Sequence, residues 1–143
     1  MPSARRDPFK SFSFRVEIDN VASASFKSVS GLAAEAEVIE YREGGDLSSS
    51  RKLPGRVRYP NVTLKRGLTT SPDLWDWWQT VRDGAVERRT VVITLLNDAG
   101  EPVLRWRLRE AWIAKIEASD LDAEGNEVAI ETIELAHEGL ELE

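Results

Sequence analysis

Across residues 12–19, Phe12, Phe14, Val16 and Ile18 alternate with Ser13, Arg15, Glu17 and Asp19. A period of two puts the apolar side chains on one face, as in a strand half-buried against a core. Asn20 breaks the alternation. A second strand is predicted over residues 24–30, closing at Gly31, and a third over residues 34–42. The third changes phase: Ala34, Ala36 and Val38 share one face, whereas Ile39 and Tyr41 lie on the other. Such a change fits a bulge, or a strand whose two ends face different neighbours. From Glu43 to Pro60 the period vanishes among Gly44, Gly45, Ser48, Ser49, Ser50, Pro54 and Gly55, so a long loop is predicted at 43–60. Its second half is basic, with Arg51, Lys52, Arg56 and Arg58. Connections are usually about 4–6 residues, and much longer ones tend to carry function.

Val62–Arg66 reads as a short strand closed by Gly67. Ser71, Pro72 and Asp73 then supply a cap, a proline for the first helical position and a first-turn acid. Leu74, Trp77, Trp78 and Val81 follow at helical spacing up to Gly84, which predicts a helix over 72–83. Val91–Leu96 and Val103–Arg109 form a predicted hairpin through the turn Asn97–Pro102. In its second strand Leu104, Trp106 and Leu108 face inward and Arg105, Arg107 and Arg109 outward. Strands are also predicted at Trp112–Ala118 and at Glu127–His137, the latter the longest, with a phase shift between Val128/Ile130 and Ile133/Leu135. Residues 1–11, with Pro2, Pro8 and mixed charges, read as a flexible arm, and 12–143 as one domain. The fold class is mainly β: an antiparallel β-sandwich or barrel with one α-helix.

Composition narrows the function classes. A chain of 143 residues and 16.1 kDa buries about two-thirds of its unfolded surface and needs no staples. Its 19 Lys+Arg against 25 Asp+Glu give a net charge of −6, the wrong balance for a duplex-binding protein. With no cysteine, disulfide frameworks, thiol catalysis and thiolate zinc sites are excluded. No apolar run approaches the roughly 20 residues of a membrane span. Arg5-Arg6 is followed by Asp7, Lys10 and Arg15 where a signal segment would be apolar, so no signal peptide is expected and assembly would be cytoplasmic.

No catalytic constellation stands out. His137 is the single histidine and has no partner in a recognised motif. Asp120, Asp122 and Glu131, around Gly125, approach the spacing of a calcium loop. Glu124 is too long for the third ligand, however, and Asp and Gly are ordinary hairpin-turn residues. Five tryptophans could form a sugar platform, but Trp77, Trp78 and Trp106 fall on core-facing positions, which favours a core or a subunit interface. The arginine row at 105, 107 and 109 has acidic partners to hand in Glu127, Glu131, Glu134 and Glu138, which favours salt bridging over phosphate binding. Neither a cofactor nor a metal is expected. Two classes stay open on the residues alone: a monomeric β-sandwich that binds carbohydrate or calcium, and a subunit whose strands continue into a neighbour. A strand apolar on both faces has no use in a monomer.

A resemblance adds to this. Phe14-Arg15-Val16-Glu17-Ile18, then Phe26-Lys27-Ser28-Val29-Ser30-Gly31-Leu32, then Glu40-Tyr41-Arg42-Glu43-Gly44-Gly45, look like the start of contractile-tail inner tube proteins. Arg51-Lys52-Leu53-Pro54-Gly55, the stretch Tyr59–Gly67, Leu74-Trp75-Asp76-Trp77, Leu96–Pro102 and Ala136–Leu140 continue it in order and spacing. The chain thus resembles the phage tail tube family, shared by extracellular contractile injection systems and similar in fold to the Hcp tube protein. The resemblance implies a non-enzymatic hexamer whose sheets join into one large β-barrel, stacked into a tube inside a contractile sheath. A baseplate or spike and a tail terminator would hold the tube's ends. Its lumen would carry a protein effector in an injection particle, or DNA in a phage virion, the two alternatives within the class. The loop at 43–60, through Arg51, Lys52, Arg56 and Arg58, would reach the adjacent ring. The helix, through Asp73, Asp76 and Arg82, would face the sheath. Glu35, Glu37, Glu131 and Glu134 would line the lumen or a subunit boundary.

Overall fold

The computed structural model describes residues 13–19, 21–24, 26–42, 44, 50–125 and 127–143. The predicted arm at 1–11 and most of the predicted loop's first half lie outside the described residues. The alternation at the start becomes β1 (Ser13–Ile18), with Val16 and Ile18 buried and Phe14 packed against them. A second strand predicted as one piece is two: β2 (Val21–Ala24) returns along β1, and β3 (Phe26–Ser30) pairs elsewhere. Then come β4 (Glu35–Tyr41), β5 (Arg51–Arg58), β6 (Val62–Gly67), the helix α1 (Asp73–Arg82), β7 (Arg89–Leu96), β8 (Pro102–Ala118), β9 (Ile130–Ala136) and β10 (Gly139–Leu142).

Eight strands form one antiparallel sheet in the order β2-β1-β7-β8-β9-β6-β3, with β10 also paired to β8. It wraps a single core of Val16, Val62, Leu64, Ile93, Leu108, Ile113, Ile133 and Leu135, closed on one side by Leu74 and Trp77 of α1. The device that bends it is in β8. The two strands predicted at Val103–Arg109 and Trp112–Ala118 are one 17-residue strand, and Glu110 inside it has φ 54°. That left-handed residue flips the pleat. Before it Leu108 faces the core, and after it Ala111 and Ile113 do. The first half therefore pairs with β7 and β10 and the second with β9, around the same core. The predicted longest strand, 127–137, shrinks to the seven residues of β9. Its apparent phase shift marks where the strand begins.

The helix forms one residue inside its predicted start. Ser71 does not cap it: Pro72 is the N-cap, without a side-chain hydrogen bond, and the Asp73 carboxylate accepts the Leu74 N–H at 2.8 Å. At the other end Gly84 has φ 78°. There the Ala85 N–H donates to the Thr80 carbonyl and the Gly84 N–H to that of Val81, a Schellman closure that needs a residue free of Cβ strain. Trp77 is fully buried, its indole N–H donating to the Glu87 carbonyl at 2.7 Å, with the Arg89 guanidinium 5.0 Å over its ring. The opposite side of α1 exposes Trp75, Asp76, Gln79 and Arg82.

Candidate functional site

The predicted loop at 43–60 is corrected by the structure: Arg51–Arg58 is a strand, and β4 and β5 make a two-stranded antiparallel sheet of their own. Glu35 pairs with Arg58, Ala36 with Val57, Val38 with Pro54, Ile39 with Leu53, Glu40 with Lys52 and Tyr41 with Arg51. Between Ala36 and Val38 the register slips by one, which gives β5 the extra residue of a bulge at Gly55-Arg56. The extra residue is on β5, so β4 keeps its alternation, and the phase change read in 34–42 reflects apolar residues on both faces of β4, Val38 on one and Ile39 and Tyr41 on the other. Gly55 makes the bulge compact, since a Cβ would sit 3.0 Å from the Ile39 side chain and 3.1 Å from the Glu37 carbonyl and would push both back by a few tenths of an ångström. Gly31, at the base of the hairpin, has φ 91°, and a Cβ there would overlap the Asn61 carbonyl. Pro54 is tolerated because each strand of a two-stranded sheet has one edge without a ladder.

The hairpin packs chiefly against itself. Every residue of β4 is exposed, as is every residue of β5 except Gly55. Val38 is 62% and Val57 57% exposed on one face, and Ile39, Tyr41 and Leu53 stand exposed on the other. Charge is divided between the strands. β4 carries Glu35, Glu37 and Glu40, and β5 carries Arg51, Lys52, Arg56 and Arg58. Among the described residues only Glu35–Arg58, at 2.9 Å, is an ion pair within the hairpin.

The other expected site residues scatter. Asp73 is not a free helix-surface acid: it holds Arg66 at 2.7 Å, while Asp76 and Arg82 remain exposed. Burial alone would raise the Asp73 carboxyl. Hydrogen bonds from Arg66, the Leu74 N–H and Ser71, with the Arg66 charge, outweigh that and hold it below its ordinary 3.8. Glu131 is corrected from a lumen candidate and from a calcium ligand, because its side chain is 1% exposed and faces Arg66 in the core at 3.2 Å. Asp122 accepts the Glu124 N–H in a turn, and Asp120 is exposed. Among the described residues no three carboxylate or histidine side chains gather closely enough to hold a metal. Glu134 is half-buried and accepts from the Asn61 amide at 3.1 Å. His137 bridges backbone, its ring nitrogens 3.2 Å and 3.1 Å from the Gly139 and Pro60 carbonyls.

Trp77 is buried, and Trp78, Trp106 and Trp112 are half-buried, so only Trp75 stands exposed and no aromatic platform forms. Arg107 and Arg109 do form salt bridges, but with Glu143, just past β10, and with Glu141 of β10 rather than with the acids of β9. Sequence reading missed β10 and so missed these partners. It also missed a cleft of about 490 Å³ between β3 and the β1–β7–β8 side, lined by Phe14, Lys27, Val29, Leu95, Leu104 and Trp106. Among the described residues no helix is long and apolar enough to cross a membrane.

Comparisons with known proteins bear on this surface. A chain in the extended-state sheath–tube complex of an extracellular contractile injection system, PVC, is 29% identical with a TM-score of 0.86, covering 96% of this chain and 93% of that one. A chain in the six-fold symmetrised baseplate of the anti-feeding prophage is 30% identical with a TM-score of 0.84, covering 97% of each. Hcp1 from Flavobacterium johnsoniae shares the fold at 14% identity, with a TM-score of 0.61 and coverage of 90% and 93%. No curated protein matches the chain. The family described as T4-like virus tail tube protein gp19 matches over residues 10–141. That span takes in the wrapped sheet, the helix and the projecting hairpin, and the chain belongs to this tail tube family.

Proposed function

We propose that copies of this protein assemble into six-membered rings and that the rings stack as the inner tube of a contractile injection particle. The observation that carries this reading is the hairpin. It exposes apolar side chains on both faces of a sheet whose two edges are open among the described residues, an arrangement a monomer leaves unused and a neighbouring copy covers. The basic residues Arg51, Lys52, Arg56 and Arg58 then lie in the contact by which one copy reaches another. The exposed side of α1, with Asp76 and Arg82, is the surface for a surrounding sheath. Baseplate and terminator proteins meet the two ends of the tube, and a protein effector occupies the lumen. The role is structural and non-enzymatic, exercised in a phage-tail-like particle outside the cell that made it. The gp19 likeness equally supports a tube that conducts DNA in a virion, and the two differ in cargo rather than in assembly.

Negative-stain electron microscopy of the purified protein tests this. Rings with a central hole, or stacked tubes, are expected. A monomer at every concentration, with or without a baseplate preparation to nucleate assembly, contradicts it.

A further inference from the structure

The division of charge in the hairpin is complete. Between Glu35 and Tyr41 there are three acids and no base, and between Arg51 and Arg58 four bases and no acid. Cross-strand attraction inside one hairpin does not require this, since mixed strands in the same register would give as many pairs. Nor does the hairpin use it: Glu37, Glu40, Arg51, Lys52 and Arg56 form no ion pair among the described residues. Segregation does have a consequence for the two outer edges. β4 presents an acidic edge and β5 a basic one, and among the described residues neither edge has a strand beside it.

Two hairpins can meet edge to edge in three ways. β4 against β4 sets three carboxylates opposite three, and β5 against β5 sets four cations opposite four. Like charges directly opposite are destabilising. Both pairings are isologous and end at a dimer. Only β5 against β4 places opposite charges across the boundary. That pairing is heterologous, keeps the strands antiparallel, and leaves a free acidic edge at one end and a free basic edge at the other, so it propagates until it closes.

We propose that β4 and β5 are a charge code for assembly. The basic edge of one copy's β5 docks on the acidic edge of the next copy's β4, with Glu37, Glu40, Lys52 and Arg56 as the residues that set direction and forbid dimers. This rests on the tube reading above and names the partner surface for its basic strand: a second copy's Glu35–Glu40. Charge here acts chiefly by excluding wrong pairings, while the exposed Val38, Ile39, Leu53 and Val57 supply the buried area.

The test exchanges the code. A swapped chain carries Glu35→Lys, Glu37→Lys and Glu40→Lys together with Arg51→Glu, Lys52→Glu, Arg56→Glu and Arg58→Glu. Every pair inside its hairpin remains opposite in sign, and so does every contact between two swapped copies. Every β5-on-β4 contact with an unswapped copy is of like sign, whereas β4-on-β4 and β5-on-β5 contacts between the two chains become opposite in sign and, being head to head, cannot extend a ring in which every copy points the same way. The swapped chain is expected to assemble alone. Differently labelled and mixed at physiological salt, the two chains are expected to sort into separate rings, with doubly labelled rings lost to background. In 1 M salt, where screening shortens to about 3 Å, mixing is expected to return. Free mixing at physiological salt overturns the code, as does a swapped chain that keeps its far-UV spectrum and thermal midpoint yet stays monomeric. A milder pair, Glu37→Lys with Arg56→Glu, is read in the same way should the full exchange disturb folding. Failure of the unswapped protein to assemble would instead strike the tube reading itself.

Discussion

The wrapped sheet and the β4–β5 hairpin handle charge in opposite ways. In the sheet, Arg66 of β6 is 4% exposed, gripped by Asp73 of α1 and Glu131 of β9 and stacked 5.8 Å over Phe26. Three elements far apart in the chain are thereby tied at one point. The arrangement is not fully satisfied, because the Arg66 Nε and Glu131 Oε2 are buried without a hydrogen-bond partner among the described residues. A buried cluster of this kind fixes geometry more than it adds stability. In the hairpin's two strands, seven charges stand in water and among the described residues one ion pair forms. Exposed pairs contribute little to folding. The same residue types therefore serve the fold of one chain in the sheet and the meeting of two chains in the hairpin.

Substitution separates the two regions most sharply at Arg66. Arg66→Met strands the Glu131 charge in the core, and urea denaturation under non-assembling conditions is expected to show a loss of about 3–5 kcal/mol. An unchanged midpoint would mean that the fold does not depend on the Arg66–Glu131 contact. Asp73→Asn is expected to be milder, at about 1.5–3 kcal/mol, the scale of hydrogen bonds to charged groups. Its pH dependence has a fixed sign. Because the folded Asp73 carboxyl lies below its ordinary 3.8, its stabilisation is complete above that value and is lost as pH falls through the lower folded one. The gap between wild type and Asp73→Asn is therefore expected to be flat near neutrality and to close on acidification below about pH 4. A gap that widened there would reverse the assignment.

The hairpin is expected to behave oppositely. Val57→Ser removes an exposed apolar side chain and should move the monomer's stability by no more than about 0.5 kcal/mol. In the assembly the same side chain is covered, at about 1.5–3 kcal/mol for full burial. The concentration needed for ring formation, followed by light scattering, is thus expected to rise at least about tenfold. Equal assembly would remove Val57 from the contact.

Burial explains how far each region was legible in the sequence. The half-buried strands and the helix announce themselves by period, through Val16 and Ile18 or Leu74 and Trp77, because one face of each meets a core. The hairpin has no core to meet. Its second strand holds Pro54, Gly55 and four cations and reads as a loop, although backbone pairing with β4 makes it a strand. Glu110 gives no warning of its left-handed turn, so one strand reads as two. The buried cluster did leave a signal. Arg66 is in phase with Val62 and Leu64, and Glu131 with Ile133 and Leu135. Opposite charges on the apolar faces of two strands point to a buried pair, but counting Glu131 with the surface acids hid it.

The central claim is that the core of the wrapped sheet is closed by its own chain and the hairpin is covered by another copy. Amide hydrogen exchange, read by peptide mass spectrometry on dilute monomer and on assembled particles, addresses it directly. Peptides from β6, β7, β8 and β9 are expected to be protected in both samples, and those from Glu35–Tyr41 and Arg51–Arg58 only in the particles. Hairpin peptides that exchange equally fast in monomer and particle would contradict the claim.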